Sequence, residues 1–335
     1  MTCIASIGKI AMASQPSITN QQINAIICKP SVDPHYVYYA IDSKTHILRT
    51  WAGQTQKPIV KKSLFEKFPI AFPPLVEQRG ISRVLSCVDN AIHKANEVIE
   101  ETNMLKRGLM QRLLSRGIEH KEFQETKIGK MPKEWKIVKI KEVAEVKGKV
   151  GWRGYKRTDF VEPENGAISL GANNITEGDR LNFVDLRYVS WKKYYESPEI
   201  HVKSGDIIMA QRGSLGKIAI IDQDIKKATI NPNIVLLKNI KVNNFYLYYA
   251  LSSHITKKQI IAVTLATTVP LLTQQQIKSF RIPLPSSGEQ KKIAEILLIV
   301  DKKLEFDKER KEKLESIKKG LMQVLLTGRV RVKVD

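Results

Sequence analysis

The sequence predicts an α+β protein, in which mixed α/β globular domains are joined to two long helices that form an antiparallel coiled coil. The chain repeats itself at a distance of about two hundred residues, and each repeat contains a long apolar ladder with helical spacing. Short apolar or alternating runs typical of strands lie between the ladders. A repeat of this length is a duplicated domain with its helix, because solenoid repeats are only roughly 20 to 50 residues long.

The two long helices are predicted at about 76–116 and about 288–327. Pro73-Pro74 blocks an earlier start of the first helix, and Gly117 fits its end. Since one chain carries both ladders, the simplest partner of each is the other, packed antiparallel. The residues assigned to helix pairing are Leu85, Val88, Ile92, Ile99, Leu109, Leu113, Leu297, Val300, Leu304, Leu314, Leu321 and Leu325. Gly108 and Gly320, at equivalent points, are predicted to be close-packing positions, with simple tolerance as the alternative.

Residues 119–285 are predicted to form one complete mixed α/β domain. Its predicted strands are 136–140, 167–170, 206–210, 217–221 and 234–237, and a helix is predicted at about 244–258.

Residues 1–67 repeat only the second half of that domain. Ser6–Ala11 matches Ser214–Ala219, and Tyr38–Ile41 matches Tyr248–Leu251. The expectation is a chain that begins in mid-domain, with the first half either lost or supplied by another polypeptide. The predicted division is a partial domain at 1–67, a helical region at 68–118, the complete domain at 119–285 and a second helical region at 286–335.

The composition favours a polyanionic partner. The 335 residues include 55 Lys and Arg against 34 Asp and Glu, which gives a formal net charge of +21. Nucleic acid binds such a surface through the release of counterions, whereas the alternative is that the lysine content reflects only the source of the protein. The three cysteines form no C-x-x-C pair and the histidines lack ligand spacing, so no disulfide, metal or cofactor is predicted. With no membrane-spanning run and no basic region before the apolar start, a cytoplasmic location is expected.

Three motifs give the chain a resemblance to a known family. A Pro-rich turn and Glu-Gln precede a long helix that ends in Gly-Leu-Met-Gln-x-Leu-Leu, at both 68–114 and 280–326. Residues 128–135 carry Gly-x-x-Pro-x-x-Trp at the start of the complete domain, and 20–23 read Asn-Gln-Gln-Ile. The chain resembles the specificity (S) subunit of type I restriction-modification systems along nearly its whole length.

The resemblance implies a non-catalytic DNA-binding subunit. In this family each target-recognition domain reads a short half-site of double-stranded DNA, and the paired helices hold the two domains apart. The helices also bind the modification (M) subunits, which methylate adenine with S-adenosylmethionine, and through them the restriction (R) subunit, which cuts. The chain departs from the family pattern, since one recognition domain is complete and the other is partial. A self-dimer through the helices, which would use two complete domains, is therefore a further expectation.

Several segments of the complete domain are candidates for DNA contact. The densest basic and aromatic stretch is 147–157, where Lys and Arg suit phosphates and Arg also suits guanine. Asparagine and glutamine can pair with adenine, although Asn-Asn and Gln-Arg-Gly are also common in turns. The candidate residues are Lys147, Lys149, Trp152, Arg153, Tyr155, Lys156, Arg157, Asn173, Asn174, Gln211, Arg212, Ser214, Thr267 and Thr268.

Other functions receive less support from the sequence. Asp206 with Asp224 and Lys226 resembles the metal site of many nucleases, but both aspartates fall in predicted turns. Residues 231–233 lack the aromatic residue with which an adenine methyltransferase would clamp a flipped base. A non-catalytic coiled-coil scaffold and an RNA-binding protein stay as alternatives, and a stand-alone nuclease is the weakest of them.

Overall fold

The computed structural model describes residues 1–4, 6–53, 58–149, 154–265 and 271–333. They form two compact units. Unit 1 comprises Met1–Thr102 with Lys303–Asp335, and unit 2 comprises Asn103–Lys302. Each unit therefore contains a part of both long helices. The predicted α+β fold class is confirmed.

Unit 1 consists of short helices packed against segments of the two long ones. Its helices are α1 (Pro34–Asp42), α2 (Thr45–Trp51), α3 (Lys62–Phe65), the first part of α4 (Leu75–Arg116) and the last part of α10 (Ser287–Leu325). Within its described residues, β-type pairing is limited to the isolated bridges Thr2–Ile23 and Ile4–Ile59. The observed bounds of α4 and α10 agree with the predicted helices to within two residues.

Unit 2 contains all the named strands of the described chain. The strands are β1 (Phe123–Thr126), β2 (Gly129–Pro132), β3 (Lys136–Lys139), β4 (Glu145–Gly148), β5 (Phe160–Val161), β6 (Gly166–Leu170), β7 (Arg187–Ser190), β8 (Ile207–Ala210), β9 (Ile218–Ile220), β10 (Ala228–Ile230), β11 (Ile234–Lys238) and β12 (Arg281–Leu284). Its shorter helices are α5 (Ile140–Val143), α6 (Trp191–Tyr195), α7 (Asn244–Ser252), α8 (His254–Thr264) and α9 (Gln274–Ser279). The helix predicted at 244–258 is therefore two helices, because Ser253 adopts an extended backbone between them.

Two four-stranded sheets organise unit 2. One has the order β4-β11-β8-β9 and is antiparallel throughout. The other has the order β10-β6-β7-β5, in which only the β10–β6 pair is parallel. The hairpin β1–β2 and the pair β12–β3 complete the strand pairing.

The antiparallel sheet is buried on both faces. In β8, Ile208 and Ala210 belong to the core shared with the second sheet, whereas Ile207 and Met209 belong to the core around α7. Since successive side chains of a strand point to opposite faces, this run of four apolar residues fills both cores. The sheet is consequently a rigid layer, and its loops are the parts free to contact a partner.

The long helices run antiparallel in both units. In unit 1, Leu85 near the start of α4 shares a core with Leu325 near the end of α10. In unit 2, Leu113 near the end of α4 shares a core with Leu297 near the start of α10. Of the residues assigned to helix pairing, seven are buried: Leu85, Ile99, Leu113, Leu297, Val300, Leu304 and Leu325. The other five are half-buried: Val88, Ile92, Leu109, Leu314 and Leu321.

The prediction that Gly108 and Gly320 are close-packing positions is wrong. A Cβ atom added at either glycine would meet no atom within 4 Å. Both glycines face open space, so the helices only tolerate them. Within the described residues, no helix is both long enough and apolar enough to cross a membrane.

Candidate nucleic-acid interface

Three loops of unit 2 meet beyond the ends of its two sheets. The first follows β6, the second joins β8 to β9, and the third joins β10 to β11. Backbone hydrogen bonds hold them together: Asn231 N donates to Leu170 O at 2.8 Å, and Gln211 N donates to Asn233 O at 2.9 Å. This surface, formed by residues 171–174, 211–217 and 231–233, is called the loop edge below.

The loop edge surrounds an open hollow of about 460 Å³. The polar side chains that line it are Asn173, Arg212, Ser214, Lys217 and Asn233. Among the described residues, the Arg212 guanidinium has no hydrogen bond or ion pair. The structure thus brings together three sequence-predicted candidates, Asn173, Arg212 and Ser214, although Asn173 is about forty residues from the other two in the chain.

The conformation of the β8–β9 loop depends on glycine and on Gln211. Gly213 and Gly216 both have a φ of 74°, which side chains other than glycine rarely adopt. The Gln211 side chain donates to Pro232 O at 2.7 Å and ties this loop to the β10–β11 turn. Gln211 therefore positions the loop, and its amide group is already engaged within the protein.

Three further candidates for DNA contact, Lys149, Tyr155 and Asn174, have partners within the domain, which argues against a contact with DNA. Lys149 is only 5% exposed, and its ammonium group donates to Ser197 Oγ at 2.9 Å. The same ammonium lies over the Tyr155 ring, whose hydroxyl donates to Ile230 O at 3.0 Å. Burial raises the pKa of Tyr155, so this hydroxyl keeps its proton. The buried Asn174 accepts a bond from Gly171 N and donates to Asn182 O, which closes the turn after β6.

Lys147, Lys156 and Arg157 of the predicted basic stretch do not line the hollow of the loop edge. Lys156 and Arg157 are exposed at the entrance to β5. Arg157 lines a second hollow with Arg187, and the Arg187 guanidinium lies 5.8 Å from the centre of the Phe160 ring. Lys147 forms an exposed ion pair with Glu145 at 3.1 Å. These residues suit a contact with the phosphate backbone better than a contact with bases.

Four predicted candidates lie outside the described residues. They are Trp152, Arg153, Thr267 and Thr268. Of the described residues beside these segments, Leu271 contacts the loop edge. Gly148, the last residue of β4, pairs with Val235, and Leu271 forms a bridge with Arg212.

Sequence reasoning missed two residues of the loop edge. Asn233 was considered only as part of a methyltransferase-like motif, and Lys217 only as part of a strand. Their positions follow from the topology. Asn233 ends the β10–β11 turn beside Gln211, and the Lys217 carbonyl oxygen accepts from Ala210 N at 2.8 Å, which closes the β8–β9 hairpin. Lys217 forms an ion pair with the exposed Glu177. The signal for Asn233 in the sequence was the turn Asn231-Pro232-Asn233 before a predicted strand, which resembles the turn predicted after the strand 206–210.

The nuclease-like aspartates are not assembled into a site. Asp206 is buried, and its carboxylate accepts a hydrogen bond from Lys203 N at 2.9 Å, which closes a turn. Burial raises the pKa of this carboxyl. Asp224 is exposed in a separate loop. Within the ranges that the structure describes, no group of three His, Cys, Asp or Glu side chains is arranged to hold a metal ion.

Known proteins resemble this chain along almost all of its length. The family profile described as the type I restriction modification DNA specificity domain matches residues 1–101 and 132–316. The chain is 34% identical to the type I restriction enzyme MjaVIII specificity subunit of Methanocaldococcus jannaschii, over 98% of this chain and 76% of that protein. It is 30% identical to the MjaIX specificity subunit of the same organism, over 99% of this chain and 77% of that protein.

The solved structures agree with the fold. The crystal structure of the type I restriction-modification S subunit from M. genitalium superposes with a TM-score of 0.62 at 19% identity, over 97% of this chain and 81% of that one. A structure titled for complex assembly and conformational transition of the type I restriction-modification system has a TM-score of 0.58 at 16% identity, over 88% of this chain and 71% of that one. Taken together, the profile match and the identity to specificity subunits place this chain in the family of type I restriction-modification DNA specificity subunits.

Proposed function

We propose that this chain is the sequence-specific DNA-binding subunit of a type I restriction-modification complex, and that the loop edge of unit 2 reads one half-site. The observation that carries the assignment of the site is the convergence of Asn173, Arg212 and Asn233 on one open hollow. Arginine pairs with guanine and asparagine with adenine through two hydrogen bonds each, so these side chains suit the edges of bases in the major groove.

The charge of the chain supports binding to the DNA backbone. With a net charge of +21, electrostatic attraction to phosphates supplies affinity that does not depend on sequence. Lys156 and Arg157 are exposed cations near β5 and do not line the hollow. In this proposal they contact phosphates and orient the domain, while the loop edge distinguishes the bases.

The chemistry belongs to the partner subunits in this proposal. The M subunits bind the helical regions and methylate adenine, and the R subunit cuts DNA when it joins them. The chain directs both activities to the target and has no catalytic residue of its own. Two copies of the chain could instead pair through their helices. Analytical ultracentrifugation of the chain with and without M subunits distinguishes this self-dimer from the complex with M subunits.

The test compares Arg212→Ala with Arg107→Ala, which removes the same charge from an exposed position on α4. Binding of the full chain, with its M subunits, to a randomised pool of duplexes would be measured by selection and sequencing. Arg212→Ala is expected to lower the affinity for the selected target about 10- to 100-fold and to relax the preference at one position, since a base contact contributes about 1–3 kcal/mol.

Arg107→Ala controls for the loss of charge and should keep the sequence preference. Lys156→Ala should weaken binding to all duplexes alike and reduce the salt dependence by about one ion. Equal sequence preference in the Arg212 and Arg107 variants would contradict the assignment of the loop edge. Equal affinity for duplex RNA would favour the RNA-binding alternative, and no affinity for either would favour the scaffold.

A further inference from the structure

A buried aspartate of α10 connects three elements of unit 2. Asp301 is 3% exposed. The Lys106 ammonium, on α4, lies 2.6 Å from Asp301 Oδ1, an approach that is an ion pair rather than an aligned hydrogen bond. The Tyr249 hydroxyl, on α7, donates to Asp301 Oδ2 at 2.8 Å. One carboxylate thus joins the partner helix and the globular domain.

The same arrangement occurs in unit 1 with the helices exchanged. There the carboxylate is Asp89 on α4, and the Lys318 ammonium on α10 lies 2.7 Å from its Oδ1. The Tyr39 hydroxyl, on α1, donates to Asp89 Oδ2 at 2.7 Å. The Lys318 ammonium also lies over the Tyr39 ring, 5.5 Å from its centre.

The two clusters are equivalent in the sequence repeat. The step of 212 residues that relates Asp89 to Asp301 also relates Lys106 to Lys318. Each long helix therefore gives the aspartate to one cluster and the lysine to the other. Each unit therefore has an aspartate and a lysine on opposite long helices, and each cluster marks one alignment of the helices within its unit.

A slip of the helices would separate these charges. One heptad before and after Lys106, α4 carries Ile99 and Leu113. In a slipped pair, Asp301 would therefore lose Lys106 and face an apolar side chain on α4, with the Arg180 guanidinium, 3.9 Å from its Oδ2, as the remaining cation nearby. Removing one partner from a buried ion pair costs several kcal/mol. The apolar ladder gives no comparable penalty, because one heptad of leucine and isoleucine resembles the next. Single buried polar residues are known to specify register in coiled coils for this reason.

We propose that the two Tyr–Asp–Lys clusters, Tyr39–Asp89–Lys318 and Tyr249–Asp301–Lys106, fix the register of the antiparallel helix pair. The tyrosine hydroxyls extend this control to the domains, because each ties its domain to the aspartate that pairs with the lysine of the other long helix. The proposal concerns the helices alone and does not depend on the assignment of the DNA contacts. Its test therefore uses the full chain without DNA.

The test measures register by the distance between spin labels on exposed positions, one on each long helix. In a background with Cys3→Ala, Cys28→Ser and Cys87→Ser, one pair of labels replaces Arg112 and Glu295 in unit 2, and a second pair replaces Arg83 and Gln323 in unit 1. The apolar variant replaces Lys106, Asp301, Lys318 and Asp89 by Leu and both tyrosines by Phe. The matched control is His93→Leu with Glu97→Leu, because that contact of 3.3 Å joins two exposed residues of the same helix.

The original chain and the control are expected to give one narrow distance distribution. The apolar variant should remain folded, since replacing buried ion pairs by apolar residues is often neutral or stabilising. It should nevertheless show a second population in which the helices are displaced by a heptad, on the order of 10 Å along the axis. A merely structural role predicts the reverse, a lower melting temperature with an unchanged distance.

A single narrow distribution in the folded apolar variant would overturn the proposal. Should that variant fail to fold, Asp89→Asn with Asp301→Asn takes its place, since it keeps side-chain volume and removes only the charge. Broadened distributions at both label pairs are then the expected result, and distributions as narrow as those of the control would refute the role in register.

Discussion

Residues 1–67 in unit 1 and the second half of the domain in unit 2 have related sequences but differ in the structure they form. Their turns agree in detail: Gly8 N donates to Thr2 O at 3.1 Å, and Gly216 N donates to Ala210 O at 3.0 Å. Both glycines have positive φ, 85° and 74°. Turns of this kind are therefore determined locally, by a few residues and their hydrogen bonds.

The strands differ between the two regions. In unit 2, the residues after the glycine turn form β9, β10 and β11, whereas residues 9–31 of unit 1 form no named strand. Ile18 and Ile27 of that segment are 100% and 94% exposed. The reason lies in the pairing, since β11 lies between β4 and β8 and β10 pairs with β6. The described residues of unit 1 offer no counterparts of β4 and β6, so apolar residues that suit a strand lack a partner there.

The largest effect is expected from a leucine that both regions share. Leu85 and Leu297 are equivalent in the repeat and are both 0% exposed. Changing either to Ala should lower the free energy of unfolding of its own unit by about 2–5 kcal/mol, through lost burial and the remaining cavity. Hydrogen exchange of the two units measures this, with the exposed Ile299→Ala as control. A loss for Leu297→Ala alone would show that the helix end in unit 1 is not packed as described.

A second comparison concerns the glutamate at the start of each long helix. The Glu289 carboxylate accepts bonds from Ile118 N at 2.9 Å and Trp135 Nε1 at 3.0 Å. Its equivalent, Glu77, pairs with Arg331, whose side chain is 70% exposed. Glu289→Ala should destabilise unit 2 by about 3 kcal/mol, because buried donors lose their acceptor. Glu77→Ala should cost unit 1 about 1 kcal/mol. Denaturant unfolding, followed by tryptophan fluorescence and by hydrogen exchange, measures the stability lost in each unit. Equal losses in the two variants would contradict the difference between the Glu289 and Glu77 contacts.

A smaller and equal effect is expected at the helix caps. Asp33 accepts from Tyr36 N at 2.8 Å, and Asn243 accepts from Tyr246 N at 2.9 Å. Replacing either by Ala should destabilise its helix by about 1 kcal/mol. The conservative changes Asp33→Asn and Asn243→Asp keep the acceptor and serve as controls. Local hydrogen exchange in α1 and α7 measures the effect, and unchanged protection in α1 would mean that the cap is not formed in unit 1.

The smallest effect is a gain in stability. Gly108 and Gly320 lie in the helix interior with open space around them. Changing either to Ala should raise the free energy of unfolding by about 0.5–1 kcal/mol, because alanine restricts the unfolded chain and favours the helix. Thermal unfolding measures the gain. Gly117→Ala is the contrasting control, since its φ is 64° and a Cβ there would overlap the Glu289 carboxylate and the Trp135 ring. Destabilisation by Gly320→Ala would restore the close-packing interpretation.

Sequence reasoning identified the long helices, which depend on a local periodic pattern. It missed the strands β5 and β12, which depend on pairing with segments distant in the sequence. The ladder from Leu297 to Leu325 repeats at intervals of three and four residues, and such a pattern determines a helix by itself. By contrast, β5 has two residues and β12 contains Pro283, so neither resembles a strand before its partner is known. Among the described strands, β12 pairs only with β3, so its other edge makes no ladder hydrogen bonds. A proline, which has no N–H to donate, is tolerated at such an edge.

The candidate site shows the same limit. A count of charges suggested Lys149 as a DNA contact, but no local pattern reveals that its ammonium group is buried beside Ser197. Arg212 could be proposed because a Gly-rich turn follows an apolar strand. Asn233 became apparent only when the fold placed its turn beside that of Arg212, since the two residues are joined through the backbone at 3.2 Å.

Backbone hydrogen bonds hold the loop edge together, whereas its side chains line the hollow. Gln211 N donates to Asn233 O at 2.9 Å, and in unit 1 Cys3 N donates to Gln22 O at the same distance. The neighbouring positions hold Arg212 in one unit and Ile4 in the other, yet both form the same bridge to the segment that follows the domain's helices. In the proposed function, side chains can thus be exchanged on an unchanged backbone frame, so a few substitutions would give such a protein a different target without a change of fold.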